Sequence, residues 1–208
     1  MIMNRRIAVL ISGRGSNLQS IIDAIAARRL NATLVVVISN RADAPGLNRA
    51  REAGSEAICI GPADYPSRDA YDRAVADVLR AREVGLLCLA GYMRIVGRPI
   101  LDAFEHRILN IHPSLLPSFP GLEAQRQALE YGVRVTGATV HLVTAGLDDG
   151  PIIVQRAVPI LADDSVETLS ARILAEEHQI YPEAIALVLD GGWSVDGRRF
   201  VRRSGAEG

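Results

Sequence analysis

Strand-like and helix-like segments alternate through the first half of this chain, and the alternation constrains the fold more than any other feature. Short runs rich in Val, Ile and Leu are each followed by a segment with apolar residues at helical spacing. Such units imply a mostly parallel, twisted sheet with helices on both faces, an α/β class. The predicted strands are Arg6–Ser12, Leu34–Ser39, Ala57–Ile60, Leu86–Ala90 and Arg107–Ile111, and the predicted helices cover Leu18–Ile25, Leu47–Ala53 and Ser67–Arg82.

The second half of the chain is less regular and alternates in a way that favours an antiparallel contribution. A turn signal at Asp196-Gly197 predicts a hairpin at the far end. The elements expected here are a helix within Gly121–Tyr131, strands over Thr136–Thr144 and Pro151–Ile160, a long helix over Asp163–Asp190 and the hairpin Trp193–Val201.

The long helix has a predicted start and a predicted interruption. Asp164 or Ser165 is expected to cap it, and Pro182 predicts a kink or break near Ile180–Tyr181. No linker or repeat divides the chain, so its 208 residues are expected to form a single domain. Within it, residues 1–105 form a Rossmann-like half and residues 106–208 the less regular half.

Composition excludes several classes of function. The sequence contains no lysine, and all 23 basic residues are arginine, which removes a Lys Schiff base and the P-loop lysine. The formal net charge of −1 and the scarcity of aromatic residues argue against a nucleic-acid partner. Without a run of about 18 apolar residues or a signal peptide, a cytoplasmic protein with no membrane partner is expected.

The cysteines and histidines give no metal signal. Cys59 and Cys88 each lie in an apolar, strand-like run and are predicted to be buried free thiols rather than a disulfide or a metal site. The four histidines do not form a pair with metal-ligand spacing. No metal is therefore predicted.

A glycine-containing turn joins the first predicted strand to the first predicted helix. In Ser12–Asn17 (sequence SGRGSN), glycines let the backbone approach an anion, and the helix start offers free N–H groups. Leu18 occupies the third glycine position of the dinucleotide fingerprint, and Ser39-Asn40 replaces the acid expected after the second strand. A phosphate monoester therefore fits better than NAD, with a turn that only caps the helix as the alternative.

Two polar residues at the end of the fifth predicted strand form a candidate catalytic pair. Asn110 and His112 are two residues apart, so their side chains point to the same side, and Pro113 ends regular strand pairing. Open α/β sheets bind ligands at the carboxyl ends of their strands. An amide beside a titratable imidazole can stabilise an oxyanion and transfer a proton.

The loop Thr144–Pro151 carries two adjacent aspartates, Asp148 and Asp149. Taken alone, such a segment is most often a turn. Beside a histidine at a strand end it becomes the source of a carboxylate that orients the imidazole and favours its protonated form. The sequence does not determine which aspartate points inward.

The remaining histidines and one pair of glutamates leave alternatives open. His106 and His178 are predicted to lie at the surface. His141 is in the middle of a predicted strand, where a structural role is at least as well supported as a role in a site. Glu176 and Glu177 form either a solvated helix face or a clamp for a cationic or amine substrate.

Five segments together resemble the phosphoribosylglycinamide formyltransferase family of folate-dependent enzymes, over essentially the full length. The segment after the fifth strand is of a type shared by all folate-dependent formyltransferases. The N-terminal glycine loop and the Glu-His-x-Ile-Tyr-Pro segment point to this particular family. The five segments are Ile11–Asn17, Leu89–Ile95, Asn110–Pro117, Leu147–Pro151 and Glu177–Pro182.

The resemblance implies the transfer of a formyl group from the co-substrate 10-formyltetrahydrofolate to the amine of glycinamide ribonucleotide in purine biosynthesis. It also makes the first half phosphate-binding and the second half catalytic and folate-binding. Asn110, His112 and Asp148 match the family's catalytic residues, with Asp148 raising the pKa of His112. The matching ribonucleotide positions are Gly15, Ser16, Asn17 and Glu177, and the matching folate positions are Arg68, Met93, Arg94, Ile95, Val96, Asn110, Thr144 and Asp148.

Some residues depart from the family pattern. Glu123 and Gln125 lie in a segment where many relatives carry histidines, and Asp149 replaces a residue that is often small. Two other activities stay open: a formyltetrahydrofolate deformylase-like hydrolase and a non-catalytic nucleotide-binding regulator. The resemblance makes both partners small molecules and leaves a homodimer open.

Overall fold

The computed structural model describes residues 4–202, which build one nine-stranded sheet. Its strands are β1 (Arg6–Ile11), β2 (Thr33–Ser39), β3 (Glu56–Cys59), β4 (Leu86–Leu89), β5 (Ile108–His112), β6 (Val135–Leu142), β7 (Ile152–Pro159), β8 (Trp193–Asp196) and β9 (Arg199–Arg202). Their order across the sheet is β3-β2-β1-β4-β5-β6-β7-β9-β8.

The direction of the strands changes in the middle of the sheet. Strands β3, β2, β1, β4 and β5 are parallel, whereas β6 runs antiparallel to β5, and β7 antiparallel to β6. The predicted terminal hairpin is confirmed as β8 and β9, and β9 joins the sheet beside β7. The predicted class, a mostly parallel sheet with an antiparallel contribution from the second half, is confirmed.

Helices cover both faces of the sheet. One apolar core lies under α1, α2 and α6, and a second core, on the opposite face, lies under α3 and α4. A single 3-10 turn at Pro62–Asp64 precedes α3 in the described part of the chain. The helices are α1 (Ser16–Ala26), α2 (Gly46–Glu52), α3 (Arg68–Ala81), α4 (Arg98–Ala103), α5 (Ala124–Tyr131) and α6 (Val166–Asp190).

Helix boundaries follow from local capping. Ser67 accepts a hydrogen bond from the Ala70 N–H and so caps α3. Ser165 is the N-cap of α6, and its side chain forms a capping box with Thr168. Of the two predicted caps for α6, the structure therefore selects Ser165.

The structure differs from the sequence-based expectations at Cys59, whose predicted burial is wrong, and at Pro182 in helix α6. Cys59 is exposed, because β3 is an edge strand and leaves one side of its chain open, whereas Cys88 in β4 is buried as predicted. Of the kink or break expected near Ile180–Tyr181, the break does not occur, since α6 continues through Pro182. Tyr181 and Ile185, on either side of the proline, are fully buried in the same core and hold the two parts in one helix.

Candidate active site

Asp148 is the aspartate of the β6–β7 loop that reaches the pair at the end of β5. Its Oδ2 lies 3.4 Å from Nδ1 of His112, and its Oδ1 accepts a hydrogen bond of 3.4 Å from Nδ2 of Asn110. The Gly121 N–H also donates to Oδ2 at 2.8 Å, which fixes the carboxylate. Asp149 instead accepts a hydrogen bond from the Thr144 hydroxyl within the loop. The structure thus brings Asn110, His112 and Asp148 together.

His141 joins this group from the neighbouring strand. It lies directly opposite Asn110 in the antiparallel pair of β5 and β6, and it is buried. Its Nδ1 is 2.9 Å from the Leu142 carbonyl oxygen, which assigns that proton to Nδ1. Nε2 then accepts from Asn110 Nδ2 at 3.2 Å and lies 3.6 Å from Asp148. Of the two alternatives left by the sequence, the geometry favours a place in the site.

The charge state of His112 differs from the expectation. Burial lowers the pKa of the imidazole, while the Phe119 carbonyl and Asp148 act in the opposite direction and His141 lowers it further. The net direction is downward. Asp148 does favour the protonated form, as predicted, but its charge does not outweigh the loss of water around a residue that is only 5% exposed.

The pKa of Asp148 itself is held below its usual value. Burial alone would raise this pKa, but the side chain of His141, the Gly121 N–H and the charge of His112 together reverse the shift. Asp148 is therefore a carboxylate at neutral pH. Its fixed negative charge favours the protonated form of His112, against the effect of burial.

The segment after β5 is tied back to the sheet. Nε2 of His112 lies 2.8 Å from the Phe119 carbonyl, and the Thr139 hydroxyl donates to the Ser114 carbonyl at 2.7 Å. Thr139 also accepts from the Leu116 N–H and from Gln155. The Phe119 carbonyl thus occupies the outer nitrogen of His112.

The glycine loop is shaped by close backbone packing against α2. Gly15 has φ 71°, and a β-carbon there would lie 2.9 Å from Cα of Gly46. The Gly46 N–H donates to the Gly13 carbonyl at 3.1 Å, and Arg49 donates to the Arg14 carbonyl at 3.0 Å. Both loop carbonyls are therefore held by α2, and the free N–H groups at the start of α1 are left for an anion.

Ser16 and Asn17 do not cap α1, because the N-cap position is Gly15 and has no side-chain cap. Asn17 instead donates from Nδ2 to Glu177 on α6 at 2.8 Å. Its Oδ1 is buried without a hydrogen-bond partner in the described chain, and burial raises the pKa of Glu177 to about 7. An unsatisfied acceptor, the Asn17 Oδ1, beside an anion loop suits a ligand with hydroxyl groups.

The residues predicted to contact folate fall into two groups. Met93 and Ile95 are 67% and 59% exposed and follow β4, the strand beside Asn110. Arg68 reaches the same segment from α3 and donates to the Ile95 carbonyl at 2.6 Å. The side chain of Val96 is buried in the core under α3 and is therefore not open to a ligand.

Arg94 and Thr144 are both half-buried. The guanidinium of Arg94 lies 4.8 Å from the centre of the Tyr71 ring, and Thr144 contacts Asp149. Glu123 and Gln125, which depart from the family pattern, lie at the start of α5. Glu123 is the N-cap of this helix and is exposed.

Ser12 joins the glycine loop to the segment after β4, which sequence reasoning missed. Its hydroxyl donates to Asn40 at 2.6 Å and accepts from the Met93 N–H at 2.8 Å. The signal for this link in the sequence is a serine and an asparagine, Ser12 and Asn40, at the ends of two neighbouring strands. His178, expected at the surface, is half-buried between α1 and α6, whereas His106 is exposed as predicted.

Residues 4–202 contain no group of His, Cys, Asp or Glu side chains arranged to hold a metal ion. None of the helices in that range is long and apolar enough to cross a membrane.

Comparisons with known proteins agree on one family. Residues 5–185 match the family described as formyl transferase. Phosphoribosylglycinamide formyltransferase of Escherichia coli (strain K12) is 44% identical over 200 residues, which cover 96% of this chain and 92% of the relative. A crystal structure of glycinamide ribonucleotide transformylase 1 from Symbiobacterium toebii is 62% identical, with a TM-score of 0.93, and covers 95% of this chain and 93% of its own.

Longer proteins contain a similar region. The trifunctional purine biosynthetic protein adenosine-3 of Drosophila pseudoobscura pseudoobscura is 51% identical over 189 residues, or 90% of this chain. The chain spans only 14% of that relative's length.

Proposed function

The chain belongs to the formyl transferase family, and from that premise we propose that it transfers the formyl group of 10-formyltetrahydrofolate to the amine of glycinamide ribonucleotide. The observation that carries the proposal is the contact of Asp148 with both His112 and Asn110 beside an anion-binding loop. An amine, a formyl donor and a phosphate each find suitable chemistry there.

The ribonucleotide binds through its phosphate and its ribose. The N–H groups of Gly15, Ser16 and Asn17 hold the phosphate at the start of α1, where the helix dipole favours an anion. The unpaired Oδ1 of Asn17 and the buried Glu177 carboxylate accept from ribose hydroxyls. The amine then extends towards the end of β5, two strands away across β4.

The folate binds beside β4 and the β6–β7 loop. Exposed Met93 and Ile95 offer an apolar surface to its rings, and the half-exposed guanidinium of Arg68 suits its carboxylates. Thr144 and Asp148 border the same space. This arrangement presents the formyl carbon to the amine, and contact between the two substrates supplies a large part of the rate.

In the reaction, the amine lone pair attacks the formyl carbon and forms the new C–N bond without a covalent enzyme intermediate. Negative charge develops on the formyl oxygen, where the Asn110 amide and protonated His112 stabilise it. The bond from the formyl carbon to the folate nitrogen then breaks. The proton released by the amine reaches that nitrogen through water held by Asp148.

In the proposed reaction, the formyl oxygen takes the place of two contacts seen in the site. The formyl oxygen displaces the Phe119 carbonyl from Nε2 of His112, and it competes with Asp148 for an N–H of Asn110 that makes only a long bond. Charge developing on that oxygen favours protonated His112, against the burial that lowers its pKa in the free protein.

The test is to mix the protein with 10-formyltetrahydrofolate, with and without glycinamide ribonucleotide, and to follow loss of the formyl group. We expect loss that depends on the ribonucleotide and yields one formylated ribonucleotide per folate. Equal rates without the ribonucleotide would identify a deformylase-like hydrolase. No reaction in either mixture would favour a nucleotide-binding regulator.

A further inference from the structure

Asp72 is a buried carboxylate that the proposed reaction does not use. It lies in the second turn of α3, and its side chain is only 3% exposed. Burial raises its pKa, whereas the Gly97 N–H and the charges of Arg68 and Arg94 lower it. A carboxylate in such a place is costly unless its partners compensate for the lost water.

The partners of Asp72 belong to the segment that borders the proposed folate site. Its Oδ2 accepts from the Gly97 N–H at 2.8 Å and lies 3.8 Å from Nε of Arg68. The other end of the Arg68 guanidinium donates to the Ile95 carbonyl at 2.6 Å. Asp72 therefore holds the segment directly at Gly97 and, through Arg68, at Ile95.

Aromatic contacts from α3 hold the start of the same segment. The hydroxyl groups of Tyr71 and Tyr92 are 2.9 Å apart, and the Arg94 guanidinium lies over the Tyr71 ring. Residues 92–97 are thus attached to α3 at four points. Yet Met93 and Ile95 in this segment remain largely exposed. The segment is held firmly while its apolar side chains stay free to contact a ligand.

We propose that Asp72 is a positioning residue for the folate, which holds the 93–97 segment and the Arg68 side chain in the arrangement that the folate binds. The inference rests on the proposed function. Asp72 touches neither substrate. It reduces the conformational freedom that Arg68 and the segment would otherwise lose on binding.

Steady-state kinetics of Asp72→Asn test the proposal, with Asp77→Asn as the matched control. Asp77 is an exposed aspartate on the same helix, and within residues 4–202 its ion pair is with Arg80 at the surface. In Asp72→Asn we expect the KM for 10-formyltetrahydrofolate to rise about fivefold, the equivalent of one net hydrogen bond. The KM for the ribonucleotide, kcat and all constants of the control should stay near those of the unaltered protein.

A parallel rise of both KM values, or an unchanged folate KM, would overturn the proposal. A second readout does not depend on activity: trypsin cleavage after Arg94 in the unliganded protein should be faster in Asp72→Asn, because the segment is less firmly held. Absence of transfer in the unaltered protein would count against the proposed function, whereas this cleavage rate still decides whether Asp72 holds the segment.

Gly97→Ala breaks the contact between the Gly97 N–H and Asp72 without changing Asp72 itself. This variant therefore tests the proposal even if Asp72→Asn does not fold. Gly97 has φ −95°, which alanine accepts, but its β-carbon would lie 2.3 Å from Asp72 Oδ2 and displace the carboxylate. Its folate KM should rise as in Asp72→Asn. Adding Gly97→Ala to Asp72→Ala should cause no further rise, and additive effects would contradict the coupling.

Discussion

Asp148 adopts a left-handed backbone conformation, with φ 51°, which glycine, asparagine and aspartate accept most readily. Asn is therefore the substitution that keeps the loop while removing the negative charge beside His112 and His141. Asp148→Asn should lower turnover at least about 100-fold, the lower end of general acid–base contributions. His112→Ala should cause a comparable loss. The measurement is kcat in each variant, with the unfolding midpoint as the check on folding.

The matched control for the aspartate is its neighbour. Asp149→Asn removes a carboxylate from the same loop, but one that faces Thr144 and not the histidines. Its turnover should stay within about threefold of the unaltered protein, since a change away from the reacting groups costs little. Equal losses in both aspartate variants would indicate disorder of the loop, and near-normal turnover in Asp148→Asn and His112→Ala would remove both residues from the mechanism.

Glu177 couples binding to the pH dependence of stability. Its pKa is raised from 4.5 to about 7, so the folded chain holds this proton more tightly than the unfolded chain. The tighter proton binding stabilises the folded chain at low pH. This stabilisation is lost as the pH rises through the range from 4.5 to about 7, and the total loss in the free energy of unfolding is roughly 3 kcal/mol. Glu177→Gln should therefore be the more stable protein at pH about 8.

Urea unfolding of both proteins at low and high pH measures this difference, because each comparison is made at one pH and other groups cancel. The same variant should bind the ribonucleotide less tightly, since the amide replaces a charged acceptor for ribose hydroxyls. Identical pH dependence in the two proteins would mean that Glu177 is not a buried carboxylate.

The positions of site residues could be predicted where the local pattern sets the direction of a side chain, as for Asn110 and His112 on one strand before a proline. The choice between Asp148 and Asp149 could not be made, because a loop has no period that assigns its side chains to a face. His141 stayed undecided for another reason. Its partner Asn110 is 31 residues away, and only the pairing of β5 with β6 brings the two together.

Among the helices and strands, the short helix α2 supports the phosphate loop. It holds the phosphate loop through the Gly46 N–H and through Arg49, which also donates to Gln19 at 3.0 Å. Arg49→Met should release the Arg14 carbonyl and raise the KM for the ribonucleotide about fivefold, as the loss of one hydrogen bond predicts. The KM for the folate should not change.

Arg51→Met is the control for this element, because Arg51 lies on the same short helix and contacts only Asn48 in the described chain. Both variants lose one positive charge near the loop. If the two raised the ribonucleotide KM equally, long-range attraction of the phosphate would explain the effect rather than the position of the Arg14 carbonyl.

The bounds of helices and strands could be predicted where burial gives the apolar residues a regular spacing. The strand β1 and the helix α3 have continuous or clearly periodic apolar residues and were placed within one residue of their ends. The six-residue α4 was missed, since it buries only Ile100 and so carries almost no pattern. A break at Pro182 could not be excluded from the sequence, because helix propensity is local, while the core contacts that keep α6 whole come from distant strands.

At the scale of the whole molecule, the Rossmann-like half and the second half share one sheet, and both contribute to the core under α1, α2 and α6. Strand β4 of the first half pairs with β5 of the second, and helix α6 packs on α1. The Tyr181 hydroxyl, buried on α6, donates to the Leu89 carbonyl of β4 at 2.8 Å. These links cross the boundary near residue 105 and make separate folding of the halves unfavourable.

We therefore expect residues of both halves to unfold in one cooperative transition. The chain offers one probe for each half. Trp193 is the single tryptophan and packs against the core from the second half, and Cys88 is a fully buried thiol at the centre of the first. In a Cys59→Ser variant, which removes the exposed thiol, the urea midpoint from Trp193 fluorescence should coincide with the midpoint for thiol labelling at Cys88. A Cys88 that reacts at a clearly different urea concentration would show two units with separate stabilities, and the single-domain description would fail.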